Sequence, residues 1–145
     1  MPVHRIRLLG PWEFVWEGVT ALVAPALTEG TTAMPRDWQS LFGPVPGTAL
    51  LRRRFHCPTN LEPQDRVWLV CSGVRGAGTI LLNDSALVEF AANGEAVECE
   101  LTTVLKPFNV VSIRLTVTSV GVGDLPAGLF EPVALEIRSE CPVNA

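Results

Sequence analysis

The chain has little of several residue types on which many functional sites depend. It contains no tyrosine, two histidines and four cysteines, and no two cysteines are separated by only two residues. Clusters of closely spaced cysteine and histidine are the usual mark of structural zinc. We therefore expect no metal site of that kind, and no motif in the sequence points to a cofactor. No aspartate-rich loop argues for calcium, but a structural calcium ion stays an open alternative.

Long apolar runs are also missing. No segment approaches the roughly 20 apolar residues that span a bilayer, and the N-terminal sequence MPVHRIRLLGPWEF lacks the apolar core, roughly 7 to 15 residues long, of a signal peptide. We therefore expect a cytoplasmic protein with no membrane partner.

Positive charge is in short supply as well. The formal net charge is −4 and the sequence pI is about 5.1, so the chain has no general attraction for phosphate backbones, and we expect no nucleic-acid partner. The 145 residues are 48% hydrophobic and 18% charged, which is typical of a folded chain. This length predicts a single domain over 1–145.

The four cysteines lie at positions 57, 71, 99 and 141. An even number permits disulfides in a secreted protein. Cys57, Cys71 and Cys99 are each in phase with apolar neighbours, which favours small buried thiols in a reducing compartment.

Apolar residues recur with a period of two along most of the chain. In WEFVWE, Trp12, Phe14 and Trp16 share one face and the glutamates share the other. The same alternation runs through VVSIRLTV (110–117), VECEL (97–101) and VALEIRS (133–139). Strands with one polar and one apolar face are what two antiparallel sheets packed face to face require. The predicted fold class is an all-β antiparallel β-sandwich.

Turn residues divide these strands, and the stretch 67–90 shows the arrangement best. It reads as the strands VWLVCS, GTILL and ALVEF, separated by the glycine-rich turn SGVRGAG and by a tight hairpin turn at Asn83-Asp84-Ser85. Twelve glycines and twelve prolines leave no room for a long helix, although 101–105 could form one helical turn. Thr28–Gly47 and Thr118–Phe130 are predicted to be long loops.

Six motifs in order carry a family resemblance. They are LLGPWEF (8–14), MPRDWQ (34–39), LLRRRF (50–55), SGV with ILLN (72–83), VVSIRLTV (110–117) and GLFEPVALEI (128–137). This series resembles the N-terminal sugar-binding domain of family 2 glycoside hydrolases, the β-galactosidase, β-glucuronidase and β-mannosidase relatives. The resemblance implies a galactose-binding-domain-like jelly roll. Leu51 and Asp84 depart from the pattern, where the family has an aromatic residue and a glycine.

The resemblance does not extend to the catalytic part of those enzymes. Nothing in the sequence resembles their immunoglobulin-like linker domain or the (β/α)8 barrel that carries their two glutamates. We therefore expect a domain that is not an enzyme and has no catalytic residues, whose activity is the binding of a carbohydrate. A structural or protein-interaction module without sugar affinity, self-associating or docked on another protein, is the alternative.

The segment 36–39 combines an aromatic ring with polar side chains, as sugar-binding sites do. Trp38 could stack on a sugar, Asp37 and Gln39 could bind its hydroxyl groups, and Arg36 or Arg53 could supply charged donors. The alternative for Trp38 is that it folds back as a plug over the end of the sandwich, and Phe42 could extend either role.

The run Arg52–Arg54 allows more than one interpretation. By alternation Arg53 has the phase of Leu51 and Phe55, so it is either a buried arginine that needs a carboxylate partner or a residue that lines a groove. Arg52, Arg54 and His56 are most simply a solvated strand face. No nucleophile motif accompanies His56, and the carboxylates are scattered along the chain, so the sequence shows no cluster for catalysis.

Overall fold

A computed structural model describes residues 3–18, 28–34, 36–43, 45–91, 95–118, 128–129 and 131–139. In chain order, its elements are β1 (Val3–Arg7), β2 (Trp12–Gly18), β3 (Glu29–Thr32), β4 (Arg36–Asp37), α1 (Trp38–Phe42), β5 (Gly47–His56), β6 (Asp65–Cys71), β7 (Val74–Arg75), β8 (Ala77–Leu82), β9 (Ser85–Phe90), β10 (Val97–Glu100), β11 (Phe108–Val117), β12 (Gly128–Leu129) and β13 (Val133–Ser139). Within these ranges, no helix combines the length and the apolar character that crossing a bilayer requires.

The strands form two main antiparallel sheets. One has four strands in the order β1-β13-β6-β10, and the other has six in the order β3-β2-β5-β11-β8-β9. A small third sheet, β4-β12-β7, carries the start of α1. The apolar faces of the two main sheets contribute to a single core, and the predicted all-β sandwich is confirmed.

The period-two pattern places the core residues. Trp12 and Phe14 of β2 are buried, whereas Glu13, Val15 and Glu17 between and after them are exposed. On β11 the alternate residues from Val111 to Val117 are buried in the same way. Burial of apolar side chains contributes roughly 25 cal/mol per Å² removed from water, which is why the pattern fixes which face of each strand points inward.

The stretch 67–90 folds largely as predicted. VWLVC belongs to β6, and β8 and β9 form a hairpin closed by Asn83 and Asp84, both of which have positive φ (51° and 69°). Two successive residues of positive φ are typical of the tight turns that match strand twist. Asn83 also accepts a hydrogen bond from the backbone N–H of Val110 (2.9 Å), so the turn is tied to β11.

Two expectations about local structure need correction. The segment 28–47, predicted to be a loop, contains β3, β4 and α1, because short pairings to other strands organise it. The apolar residues Val67, Leu69 and Val70 around Trp68 predict a strand buried on both sides, with Trp68 in the core. Trp68 is instead only half-buried and lies on the outer face of the four-stranded sheet, where the guanidinium of Arg138 sits 4.7 Å above its ring. In contrast, the helical turn at 101–105 is present, with the N–H of Leu105 donating to the carbonyl of Leu101 (3.1 Å).

The described cysteines are free thiols. Cys71 and Cys99 are buried on β6 and β10, and Cys57 is half-buried. Burial raises the pKa of Cys71 to about 12 and that of Cys99 to about 11. Cys141 and most of the predicted loop 118–130 lie outside the described residues.

Candidate functional site

The ring of Trp38 lies in the core, not on the surface. Only 2% of the residue is exposed, and its ring packs against those of Trp16 (5.7 Å between centroids) and Phe42 (4.7 Å). Its indole N–H donates to the carbonyl of Val45 (2.7 Å). The prediction that Trp38 stacks on a sugar is therefore wrong, because its ring is covered by protein; the alternative, a plug over the sandwich, is correct.

Helical spacing explains this burial. The positions i, i+3 and i+4 of a helix lie on one face, and on α1 they are occupied by Trp38, Leu41 and Phe42. All three are buried, so the short helix has an apolar face that the sandwich covers. Gly128 of β12 sits against the backbone of Trp38 with φ of 82°, and a Cβ atom there would lie 2.9 Å from the Trp38 nitrogen. The fit of β12 against α1 thus needs a glycine.

Two of the polar neighbours of Trp38, Arg36 and Asp37, form hydrogen bonds within the segment 32–40. Arg36 is exposed and donates to the hydroxyl of Thr32 (3.2 Å) and the carbonyl of Ser40 (3.0 Å). Asp37 accepts a hydrogen bond from the Ser40 hydroxyl. Gln39 is exposed. These residues place polar groups at the surface, but the ring of Trp38 is not exposed beside them. Their role as sugar contacts stays a prediction.

Arg53 lies at a different place, in a cleft that we call the arginine cleft. This cleft has a volume of about 230 Å³ and is lined by Pro11, Glu13, Thr31, Arg52, Arg53, Arg54 and Val110. The guanidinium of Arg53 donates to the backbone carbonyls of Arg54 and Gly10. Burial lowers the pKa of Arg53. Of the two interpretations of Arg53, lining a groove is the one that the structure favours.

A second concavity adjoins the cleft, and sequence reasoning missed it. This Phe108 pocket has a volume of about 370 Å³ and is lined by Arg54, Phe55, His56, Phe108, Asn109 and Val110. Phe108 is 73% exposed, and its ring meets that of His56 edge to face with 4.9 Å between the centroids. The signal was in the sequence: Phe108 has the phase of Ser112 and Arg114, the polar face of its strand.

Strand pairing holds the two concavities side by side. Phe108 pairs with His56, Val110 with Arg54, and Ser112 with Arg52, all on the outer face of the six-stranded sheet. Arg54 and Val110 line both concavities, so one ligand could reach from the Phe108 pocket into the arginine cleft.

The base of this surface is fixed by Asn109, which points inward. Its side-chain amide donates to the carbonyl of Lys106 (2.6 Å), and its oxygen accepts from the Lys106 N–H (2.9 Å) and from Asn83 (3.1 Å). Buried amides with satisfied hydrogen bonds fix a backbone in one conformation. The start of β11, and with it Phe108, is thereby held against the β8–β9 turn.

The described residues that line the two concavities include few acidic side chains. Among the described lining residues of both concavities, Glu13 is the one carboxylate, so they lack the pair of carboxylates that most glycosidases use. No group of three or more potential metal ligands occurs in the described part of the chain.

Comparison with known proteins places the fold. No protein-family model matches the chain, and no curated protein matches it by sequence. Solved structures do match. The chain superposes with a TM-score of 0.77 on an FMN-binding β-glucuronidase from Faecalibacterium prausnitzii L2-6, with 16% identity over 93% of this chain and 22% of that enzyme.

Two other β-glucuronidases give the same result. The enzyme from an uncultured Clostridium species has a TM-score of 0.74 and 15% identity over 95% of this chain and 29% of its own. The enzyme from Bacteroides uniformis has a TM-score of 0.72 and 18% identity over 94% of this chain and 18% of its own. These enzymes contain the fold of this chain. The resemblance to the β-glucuronidase relatives is thus confirmed at the level of fold, and the chain spans less than a third of the length of each of the three enzymes.

Proposed function

We propose that this chain is a non-catalytic carbohydrate-binding domain whose contact surface is the Phe108 pocket. Two findings support the proposal. The fold occurs within enzymes named for their action on sugar conjugates, and the described lining of both concavities holds one carboxylate and no catalytic pair. The site differs from the one expected at 36–39, because Trp38 is buried.

The exposure of Phe108 is the observation that carries the proposal. Burial of an aromatic side chain contributes roughly 1.5–3 kcal/mol. Phe108 is 73% exposed at the edge of a concavity, so most of that contribution remains available when a ligand covers its ring. Aromatic rings at binding sites combine an apolar contact surface with little conformational entropy, and sugars present flat patches of C–H groups that fit such rings.

The neighbours of Phe108 supply the polar part of such a site. His56 and Arg54 stand on the adjacent strand, and both are exposed. A guanidinium and an imidazole can donate hydrogen bonds to sugar hydroxyl groups while the ring takes the C–H face. One ring and two polar side chains make a small contact, so we expect weak binding, with a dissociation constant on the order of 1 mM.

An NMR titration of the isotope-labelled protein tests this. Neutral and acidic mono- and oligosaccharides are added to millimolar concentration, and we expect saturable shifts at Phe108, His56 and Val110. The variant Phe108→Ala should abolish them. Val3→Ala, which shortens another exposed apolar side chain, on β1, is the matched control and should leave them unchanged. Saturable shifts confined to 36–42, or no shift with any sugar, would contradict the proposal.

A protein-interaction module is the second candidate. An exposed phenylalanine is equally suited to a protein interface, and the enzymes with this fold are several times longer than this chain. Light scattering coupled to size exclusion distinguishes the two. A dimer that Phe108→Ala converts to a monomer would favour this second function, as would failure of every sugar in the NMR titration.

A further inference from the structure

We propose that the arginine cleft is an anion-binding subsite, so that the ligand of the adjoining Phe108 pocket is an acidic saccharide, one that carries a carboxylate or a sulfate group. The inference rests on the proposed function and names the class of its ligand. Three observations carry it: the unneutralised charge of Arg53, the excess of positive charge in the cleft, and the continuity of the cleft with the pocket.

The guanidinium of Arg53 is hydrogen-bonded only in part. Its terminal nitrogens donate to two backbone carbonyls, and its Nε is buried with no hydrogen-bond partner. No carboxylate lies within ion-pair distance of it among the described residues. A buried donor on a charged group costs free energy unless something accepts its hydrogen bond, and an anion in the cleft would do so.

The second observation is the charge balance of the cleft. Arg52, Arg53 and Arg54 line it, and Glu13 is the only acidic residue among the described lining residues. Two arginines outside the cleft are by contrast paired with carboxylates: Arg114 with Glu17 (2.7 Å), and Arg138 with Glu98 (3.0 Å). Unpaired guanidinium groups converging on a concavity are the arrangement by which proteins bind carboxylates, sulfates and phosphates.

The third observation is that cleft and pocket are continuous. Arg54 and Val110 line both, and they form the one same-face pair between the cross-strand pair of Phe108 and that of Arg52. Successive same-face pairs lie about 7 Å apart along a strand. A sugar ring on Phe108 would therefore place a substituent, or the next sugar ring, in the arginine cleft.

An acidic saccharide fits better than a nucleic acid. Phosphate backbones are bound by extended basic surfaces, whereas this cleft is a short cationic patch on a protein of net charge −4. Among the described residues that line the two concavities, Phe108 is the one exposed phenylalanine or tryptophan side chain, whereas single-stranded bases stack on a series of aromatic rings.

The test compares three trisaccharides, one neutral and two acidic. Galactotriose, trigalacturonate and a sulfated galactose trisaccharide are titrated into the labelled protein at low salt, and the backbone amides and arginine Nε–H signals are followed. We expect at least one of the acidic saccharides to bind roughly tenfold or more tightly than galactotriose, with shifts at Arg52–Arg54, and its affinity to fall with added salt. Whichever of the two binds identifies the anion.

Variants assign the effect to the cleft. Arg54→Gln changes an exposed side chain and should fold normally, while removing most of the preference for the acidic saccharide. Arg53→Gln should do the same if the variant folds. Arg7→Gln, which removes an exposed charge on the four-stranded sheet, should leave the preference unchanged.

The outcomes separate this inference from the proposed function. If neutral and acidic saccharides bind equally at Phe108, the inference is wrong and the proposed function stands. If inorganic sulfate moves the cleft signals but no acidic saccharide exceeds galactotriose, the inference is likewise wrong. Tighter binding of single-stranded DNA than of any saccharide at physiological salt would also overturn it. If no saccharide moves any signal, the proposed function fails together with the inference.

Discussion

Replacement of Trp38 distinguishes a core residue from a binding residue. Trp38→Ala removes a side chain that is 2% exposed and packed against Trp16 and Phe42, and such truncations cost about 3–5 kcal/mol in free energy of unfolding. It also leaves the carbonyl of Val45 without its indole donor, which adds about 1 kcal/mol or more. Since small domains have a total stability of about 5–15 kcal/mol, we expect a large loss of stability.

Urea unfolding followed by far-ultraviolet circular dichroism measures this loss. Trp38→Phe should cost less than the alanine variant, because the ring is retained and only the hydrogen bond and some contact are lost. Gln39→Ala, a change at the next residue of α1 but on its exposed side, should stay within about 0.5 kcal/mol of the wild type. If Trp38→Ala unfolds at the wild-type urea concentration and loses saccharide binding instead, then Trp38 is a ligand contact and our placement of the site is wrong.

Three further predictions concern stability and thiol reactivity. Hydrogen bonds from Arg138 and Arg5, together with the charges of both arginines, lower the pKa of Glu136 although burial opposes them. This carboxylate therefore contributes stability that is present above the pKa of a glutamate in the unfolded chain and is lost as the pH falls through the lowered pKa of the folded state. Glu136→Gln should flatten the acid side of the pH dependence of the unfolding free energy, and an unchanged acid limb would contradict the role of this network. Gly128→Ala should destabilise the protein by about 1–3 kcal/mol, measured by thermal unfolding, because Gly128 has a positive φ and its new Cβ atom would crowd Trp38. An unchanged unfolding free energy would show that β12 is not held against α1 as described. Alkylation of the native protein at pH 8, mapped by peptide mass spectrometry, should modify the half-buried Cys57 and spare Cys71, because burial raises the pKa of Cys71 to about 12. Equal alkylation rates at the two cysteines would contradict the burial of Cys71.

The sandwich was predictable because the alternation of apolar and polar residues within each strand indicates which of its faces is buried. The period-two pattern indicates which face of a strand is apolar, as at Trp12, Phe14 and Val111–Val117. The polar pair Asn83-Asp84 indicates where a hairpin turns. These are short-range rules, so they hold without knowledge of the partner strands. The prediction of a loop at 28–47 was wrong for the opposite reason. The strands β3 and β4 form by pairing with β2 and β12, and no local pattern in the sequence predicts those pairings.

The candidate site was predictable only in part, because exposure depends on tertiary packing. Trp38 has polar neighbours in sequence, yet the helical turn brings it together with Leu41 and Phe42 and turns all three inward. Trp68 was misplaced because its strand neighbours are apolar, although its own side chain lies outward under Arg138. Phe108 broke the alternation of its strand, and that departure was a readable signal of an exposed aromatic residue.

The most direct test of the proposed function is a binding isotherm of the wild type and of Phe108→Ala with the saccharide that gives the largest NMR shifts. Since Phe108 is 73% exposed, the substitution should leave the unfolding free energy almost unchanged, so any loss of affinity reports on contact with the ligand. Our account predicts at least a tenfold loss for Phe108→Ala and none for Val3→Ala. Equal affinity of the wild type and Phe108→Ala would contradict it.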